Sequence, residues 1–66
     1  MLTAEQLLRT NRVKDSIEVM RNGFSPDKAT IDQATADLHW LRSGGIVTPT
    51  DQVQAAELAR DFDVAA

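Results

Sequence analysis

Residues typical of helix starts recur three times in this sequence, and these three capping signals constrain the fold more than any other feature. Thr3 and Gln6 have the spacing of a capping box, in which each side chain bonds a backbone N–H of the other residue. Ser25-Pro26-Asp27 forms a second start, with Ser25 as N-cap and Pro26 as the first helical residue. Thr48-Pro49-Thr50-Asp51 repeats the same chemistry. Three helices are therefore expected.

Glycines are placed to end the first two of these helices. Gly23 is suited to the left-handed residue that closes a helix, and Gly44-Gly45 forms the second stop. Phe24 is expected to return to the core side. The sequence thus predicts one helical domain over residues 1–66, with helices at about residues 4–22, 26–43 and 49–62.

Apolar residues repeat with the helical period in each predicted helix, and these stripes identify the candidate core. Stripes spaced by three or four residues bury one face of a helix. No run alternates with the period of a strand, and Ile46-Val47 is expected in a loop. The predicted core positions are Val13, Ile17 and Met20, with Leu7 on the flank; Ile31, Ala34, Leu38 and Leu41; and Ala55, Leu58, Ala59 and Phe62.

The predicted fold class is all-α. Both connections between helices are short, which favours antiparallel neighbours. A small three-helix bundle, or an antiparallel helical hairpin with a short third helix, fits this pattern. A chain of 66 residues without cysteine buries a limited core and has no disulfide to stabilise it. An oligomer is therefore expected.

Several apolar residues lie on the faces opposite these stripes. Trp40, the only tryptophan, falls behind the second stripe together with Ala36 and Ala29. On the first helix, Leu8 and Val19 point away from the core stripe. Three interpretations remain open: the third helix covers Trp40, Trp40 belongs to a partner surface, or it is simply exposed. Tryptophan is often an anchor of protein interfaces. The predicted contact set is Trp40, Ala36, Leu8 and Val19, flanked by Arg12 and His39.

Residues with catalytic or metal-binding potential are few. His39 is the only histidine, and no second ligand lies three or four residues from it, so no metal site is predicted. It is interpreted as a surface residue near Asp32. Glu57 and Asp61 lie one turn apart, with Asp63 close behind, but a chain this short offers little cleft for acid–base chemistry. No enzyme activity, cofactor or small-molecule substrate is expected.

The charge pattern bears on nucleic-acid binding. The formal net charge is −3, and residues 1–23 carry four basic and three acidic side chains. Because acids interrupt the basic groups, a continuous phosphate-binding patch is not expected. A nucleic-acid-associated regulator is retained as the alternative function, using Arg9, Arg12, Lys14 and Arg21.

Residues 54–65 read QAAELARDFDVA and resemble the first helix and turn of helix-turn-helix regulators. In that family a Glu-Leu-Ala triplet precedes an aromatic residue, a turn residue and Val. The resemblance implies a turn at Asp63, where the family has glycine, and a recognition helix after Ala65. Because the sequence stops at Ala66, DNA binding through this element is not expected.

The composition and the N-terminal residues suggest where the chain works. No apolar run approaches the length of a membrane span, and the first residues lack the basic start and apolar stretch of a signal peptide. A cytoplasmic setting without membrane contact is expected. Taken together, the sequence predicts a small interaction module that forms a homodimer or docks on a larger protein, as a regulator, inhibitor or assembly adaptor.

Overall fold

The computed structural model describes residues 2–65, which form three helices and no strand. Helix α1 spans Ala4–Arg21, α2 spans Lys28–Trp40 and α3 spans Pro49–Ala65. A π-helical turn, Leu41–Gly45, continues directly from α2. The predicted all-α class is confirmed. The third helix is not short: at 17 residues it is longer than α2, which has 13.

The helix starts follow the sequence at α1 and α3 but not at α2. At α1 the capping box forms, with the Thr3 N–H donating to Gln6 Oε1 at 2.7 Å and the Gln6 N–H donating to Thr3 Oγ1 at 3.2 Å. At α2 the N-cap is Asp27, not Ser25 as predicted, and its carboxylate accepts the Thr30 N–H at 2.9 Å. A carboxylate caps well because the positive end of the helix dipole attracts it.

Glycine ends the first helix as predicted, whereas Phe24 departs from expectation. Gly23 has φ +85°, and the N–H groups of Gly23 and Phe24 donate to Met20 O and Val19 O, both at 3.1 Å. This is the Schellman arrangement, which closes the last turn of α1. The turn leaves Phe24 70% exposed, so the prediction that it rejoins the core is wrong.

The second helix also ends earlier than predicted. Regular α-helix stops at Trp40, and the π-helical turn that follows contains Gly44, whose φ of +141° is not helical. Only glycine adopts this conformation readily. Ile46 lies in the loop that follows this turn, as predicted, but it is only 5% exposed and belongs to the core.

Helix α1 lies between the other two helices and makes most of the contacts that join them. Arg9 meets Asp37 near the end of α2, whereas Val19 shares a groove with Ala29 near its start, so α1 and α2 are antiparallel. The predicted core is largely confirmed, except that Leu7 is half exposed and Ile31 and Met20 are only partly buried. The buried apolar residues are Val13, Ile17, Ala34, Leu38, Leu41, Ile46, Ala55, Leu58, Ala59 and Phe62.

Candidate interaction surface

A buried carboxylate, Asp37, joins α1 to α2. Its side chain has no exposed surface. Its Oδ1 accepts hydrogen bonds from Gln33 Nε2 at 3.0 Å and from an Arg9 terminal nitrogen at 3.3 Å. Arg12 Nε lies 3.5 Å from Oδ2. A buried charge is costly unless a cation offsets it, so Asp37 fixes the two arginines of α1 against α2.

Sequence reasoning missed this cluster, although a signal was present. Asp37 lies three residues after Ala34 and four before Leu41, which places an acid inside the apolar stripe of α2. Arg9 and Arg12 are two cations on adjacent turns of α1, the spacing at which side chains share one helix face. An acidic side chain in a buried stripe needs a cationic partner to offset the cost of burying its charge.

Trp40 is partly buried and is held in place by α1 and by the π-helical turn. The Arg9 guanidinium lies over the indole, 4.5 Å from the ring centroid. The indole also packs against Gly45, where an added Cβ would overlap the six-membered ring. Gln6 Nε2 also donates to the Gly45 carbonyl, which ties α1 to the same turn. These contacts fix the orientation of the tryptophan within one chain.

Trp40 lines a shallow depression of about 380 Å³. Ala36 and His39, two further members of the predicted contact set, line the same depression. Three of the six predicted residues are therefore neighbours on the surface of α2 and the π-helical turn.

A second groove, of about 410 Å³, lies between α1 and α2. Val19, Ala29 and Ala34 are the apolar residues that line it, and Arg12 and Asp15 lie on its α1 side. Thr30 and Gln33 complete the α2 side. Two more predicted residues, Arg12 and Val19, therefore meet here.

Leu8, the sixth predicted residue, shares the helical stripe of Arg12 and Val19 on α1 and is 51% exposed. Five of the six predicted residues therefore lie along one side of the α1–α2 pair, whereas His39 lies at its edge and also lines a groove beside Ala59 and Phe62 of α3. We call this side the α1–α2 face: Leu8, Arg12, Asp15 and Val19 from α1, with Ala29, Gln33, Ala36 and Trp40 from α2. Other exposed apolar side chains, such as Phe24 and Val64, lie at or near helix ends; scattered exposed apolar residues are common on protein surfaces.

The candidate catalytic residues are not gathered into a site. His39 is exposed, and its Nε2 lies 3.5 Å from Ser43 Oγ. Asp61 Oδ1 lies 3.9 Å from a terminal nitrogen of Arg21, whereas Glu57 and Asp63 are exposed. Among residues 2–65, no three histidine or acidic side chains cluster as a metal site would require.

Three of the four basic residues considered for nucleic-acid binding lie beside carboxylates. Arg9 and Arg12 face Asp37, and Arg21 faces Asp61. Lys14 lines a groove that also contains Asp51, Glu57 and Asp61. These pairs leave little free positive charge on α1.

The turn implied by the helix-turn-helix resemblance is absent. Asp63 lies inside α3, which continues as one helix to Ala65. That expectation is therefore wrong: packing of Ala59 and Phe62 against the core continues the helix through the position of the expected turn.

The search for membrane-spanning helices in the described part of the chain and the comparisons with known proteins found no match. No helix within residues 2–65 has the length and apolar character of a membrane span. The sequence matches no protein-family model, no curated protein and no solved structure at a significant level.

Proposed function

We propose that this protein is a small, non-enzymatic interaction module of the cytoplasm that binds another protein through the α1–α2 face. By occupying the surface of its partner, it would act as a regulator, inhibitor or assembly adaptor. The observation that supports this most is that the exposed side chains of Leu8 and Val19, the apolar groove and the depression beside Trp40 lie on one side of the molecule.

The way Trp40 is held supports a binding role. A side chain that is already ordered loses little conformational entropy when a partner binds, so more of the contact energy contributes to affinity. Arg9 and Gly45 both lie against the indole and provide this order. Tryptophan and arginine are also the residue types most often found at the energetic centre of interfaces.

A nucleic-acid-associated regulator remains the alternative and has weaker support. Phosphate binding needs basic groups that are free to displace counterions. Here Arg9 and Arg12 are engaged by a buried carboxylate, and the net charge of the chain is negative. A shift of labelled DNA or RNA that weakens steeply with salt would favour this alternative.

Site-specific photo-crosslinking tests the proposed face even when the partner is unidentified. Ala36→p-benzoylphenylalanine places the probe on the face, at an exposed position beside Trp40. Irradiation is carried out on the purified protein and in an extract of the source cells. We expect a discrete adduct that excess unlabelled protein competes away.

The matched control carries the same probe at Ala56, an exposed alanine of α3. It should give no competable adduct. Adducts of equal yield from both positions, or no adduct from Ala36 under either condition, would contradict the proposed function.

A further inference from the structure

The exposed stripe of α1 has an order of side chains that is complementary to itself. Along the helix the stripe reads Leu8, Arg12, Asp15, Val19, with spacings of four, three and four residues. Reversing the direction of the helix leaves this spacing unchanged and exchanges the positions of the two charges. An apolar residue then faces an apolar residue, and each charge faces its opposite.

From this arrangement we infer that the partner is a second copy of the chain, bound through an antiparallel α1–α1 pair. The two-fold axis passes between Arg12 and Asp15. Leu8 of one copy packs on Val19 of the other, and Arg12 of one copy pairs with Asp15 of the other. A two-fold interface requires such reciprocal contacts. This inference rests on the proposed function and names its partner.

The charged pair at the centre of the stripe is available for such contacts. Arg12 uses Nε toward Asp37, and 40% of its side chain remains exposed. A guanidinium has further N–H donors on its terminal nitrogens. Asp15 is exposed, and no basic side chain within residues 2–65 forms an ion pair with it. A partly exposed guanidinium that is already paired with Asp37 but has further N–H donors, and an exposed carboxylate with no ion-pair partner among residues 2–65, therefore lie at the proposed axis.

The apolar ends of the stripe also have room to pack. The groove beside Val19 is bordered by Ala29, a small residue that allows a leucine from another helix to approach closely. At the opposite end of the stripe, Arg9 follows Leu8 in the sequence and lines the shallow depression beside Trp40 together with Ala36. In the antiparallel pair, Leu8 of the second copy enters the groove, and Val19 of the second copy approaches this depression.

The size of the interface sets the expected affinity. With a rise of about 1.5 Å per residue, the stripe from Leu8 to Val19 is about 16 Å long. A contact of this length lies at the small end of specific interfaces, and exposed ion pairs contribute little affinity. We expect a reversible dimer with a dissociation constant on the order of micromolar.

A pair of charge variants tests the antiparallel register. Leu8→Glu and Val19→Lys each place a charge against an apolar residue in the homodimer, so each variant alone should sediment as a monomer. In an equimolar mixture the introduced carboxylate faces the introduced ammonium, and the other end of the interface is unchanged. Sedimentation equilibrium should therefore show recovery of a dimer only in the mixture.

Leu7→Glu is the matched control, because Leu7 is 50% exposed but lies on a different stripe of α1. It should dimerise like the unmodified protein, and circular dichroism should show equal helicity for all variants. A monomeric unmodified protein at millimolar concentration, equal dissociation by Leu7→Glu, or a mixture that stays monomeric would overturn the inference. A monomer that still gives the competable Ala36 adduct in cell extract would overturn the dimer while retaining the proposed function.

Discussion

The two sides of α1 are joined to their neighbours by different chemistry. Helix α3 packs through buried residues that are all apolar: Ala55, Leu58, Ala59 and Phe62. At the junction with α2, by contrast, the buried carboxylate of Asp37 faces Arg9 and Arg12. Ser16, which is also buried, donates its hydroxyl to the Arg12 carbonyl at 3.2 Å.

This difference indicates that overall stability and the alignment of paired helices depend on different sides of α1. Apolar burial stabilises in proportion to area and tolerates small shifts in register. A buried ion pair adds little net stability, yet a shift that removes the cation leaves an uncompensated charge. We interpret the α3 side as the main source of stability and the α2 side as the feature that aligns two helices and so shapes the α1–α2 face.

Phe62→Ala should have the largest effect, because it removes a 6% exposed aromatic ring from the apolar side. Such truncations cost about 3–5 kcal/mol. A domain of this size has about 3–10 kcal/mol of total stability, so the variant should be partly or wholly unfolded at 25 °C. Urea unfolding followed by circular dichroism measures the loss. Val64→Ala, at an 80% exposed position, is the control and should change stability by less than about 0.5 kcal/mol.

Asp37→Ala should have the next largest effect. Removing one partner of a fully buried ion pair costs about 3–5 kcal/mol, and we expect about 2–4 kcal/mol here because Arg9 and Arg12 can turn toward water. Asp37→Leu combined with Arg9→Met and Arg12→Met should recover most of this loss by replacing charge with packing. If Asp37→Ala unfolds at the same urea concentration as the unmodified protein, the assigned role of the carboxylate is wrong.

The smallest effect is expected from the pH dependence of the α2 cap. Hydrogen bonds from the Thr30 side chain and the Thr30 N–H lower the pKa of the Asp27 carboxylate from its ordinary value of 3.8. The folded state therefore favours the charged form, so the cap contributes fully above about pH 4 and its contribution is lost as pH falls through the lower folded pKa. Asp27→Asn retains a cap without this titration. Thermal unfolding should show a smaller acid-induced loss for Asp27→Asn than for the unmodified protein; identical pH profiles would contradict the assignment.

Much of the fold could be predicted because its determinants are local. The Thr3 and Gln6 capping box, the Gly23 stop and the start of α3 at Pro49 depend on residues within one turn of each other. The stripes that became the core depend only on helical period. The N-cap of α2 was predicted at the wrong residue because Ser25 and Asp27 are both common N-cap types, and only the backbone conformation selects between them.

The six predicted contact residues could be located on outward faces by the same period. Their arrangement around the α1–α2 junction could not be predicted, because it depends on which helices are neighbours and in what direction they run. Only the tertiary structure brings Val19 of α1 beside Ala29 of α2 and places Arg9 over Trp40.

The sequence by itself determined three helices, their approximate ends and the order Leu8, Arg12, Asp15, Val19 along α1, since these follow from local chemistry and a fixed helical period. The tertiary structure alone decided that Asp37 is buried, that Phe24 is exposed and that a π-helical turn seats Trp40 on Gly45. The physical reason is that burial and ion pairing join residues distant in sequence, and their energies depend on what surrounds each group.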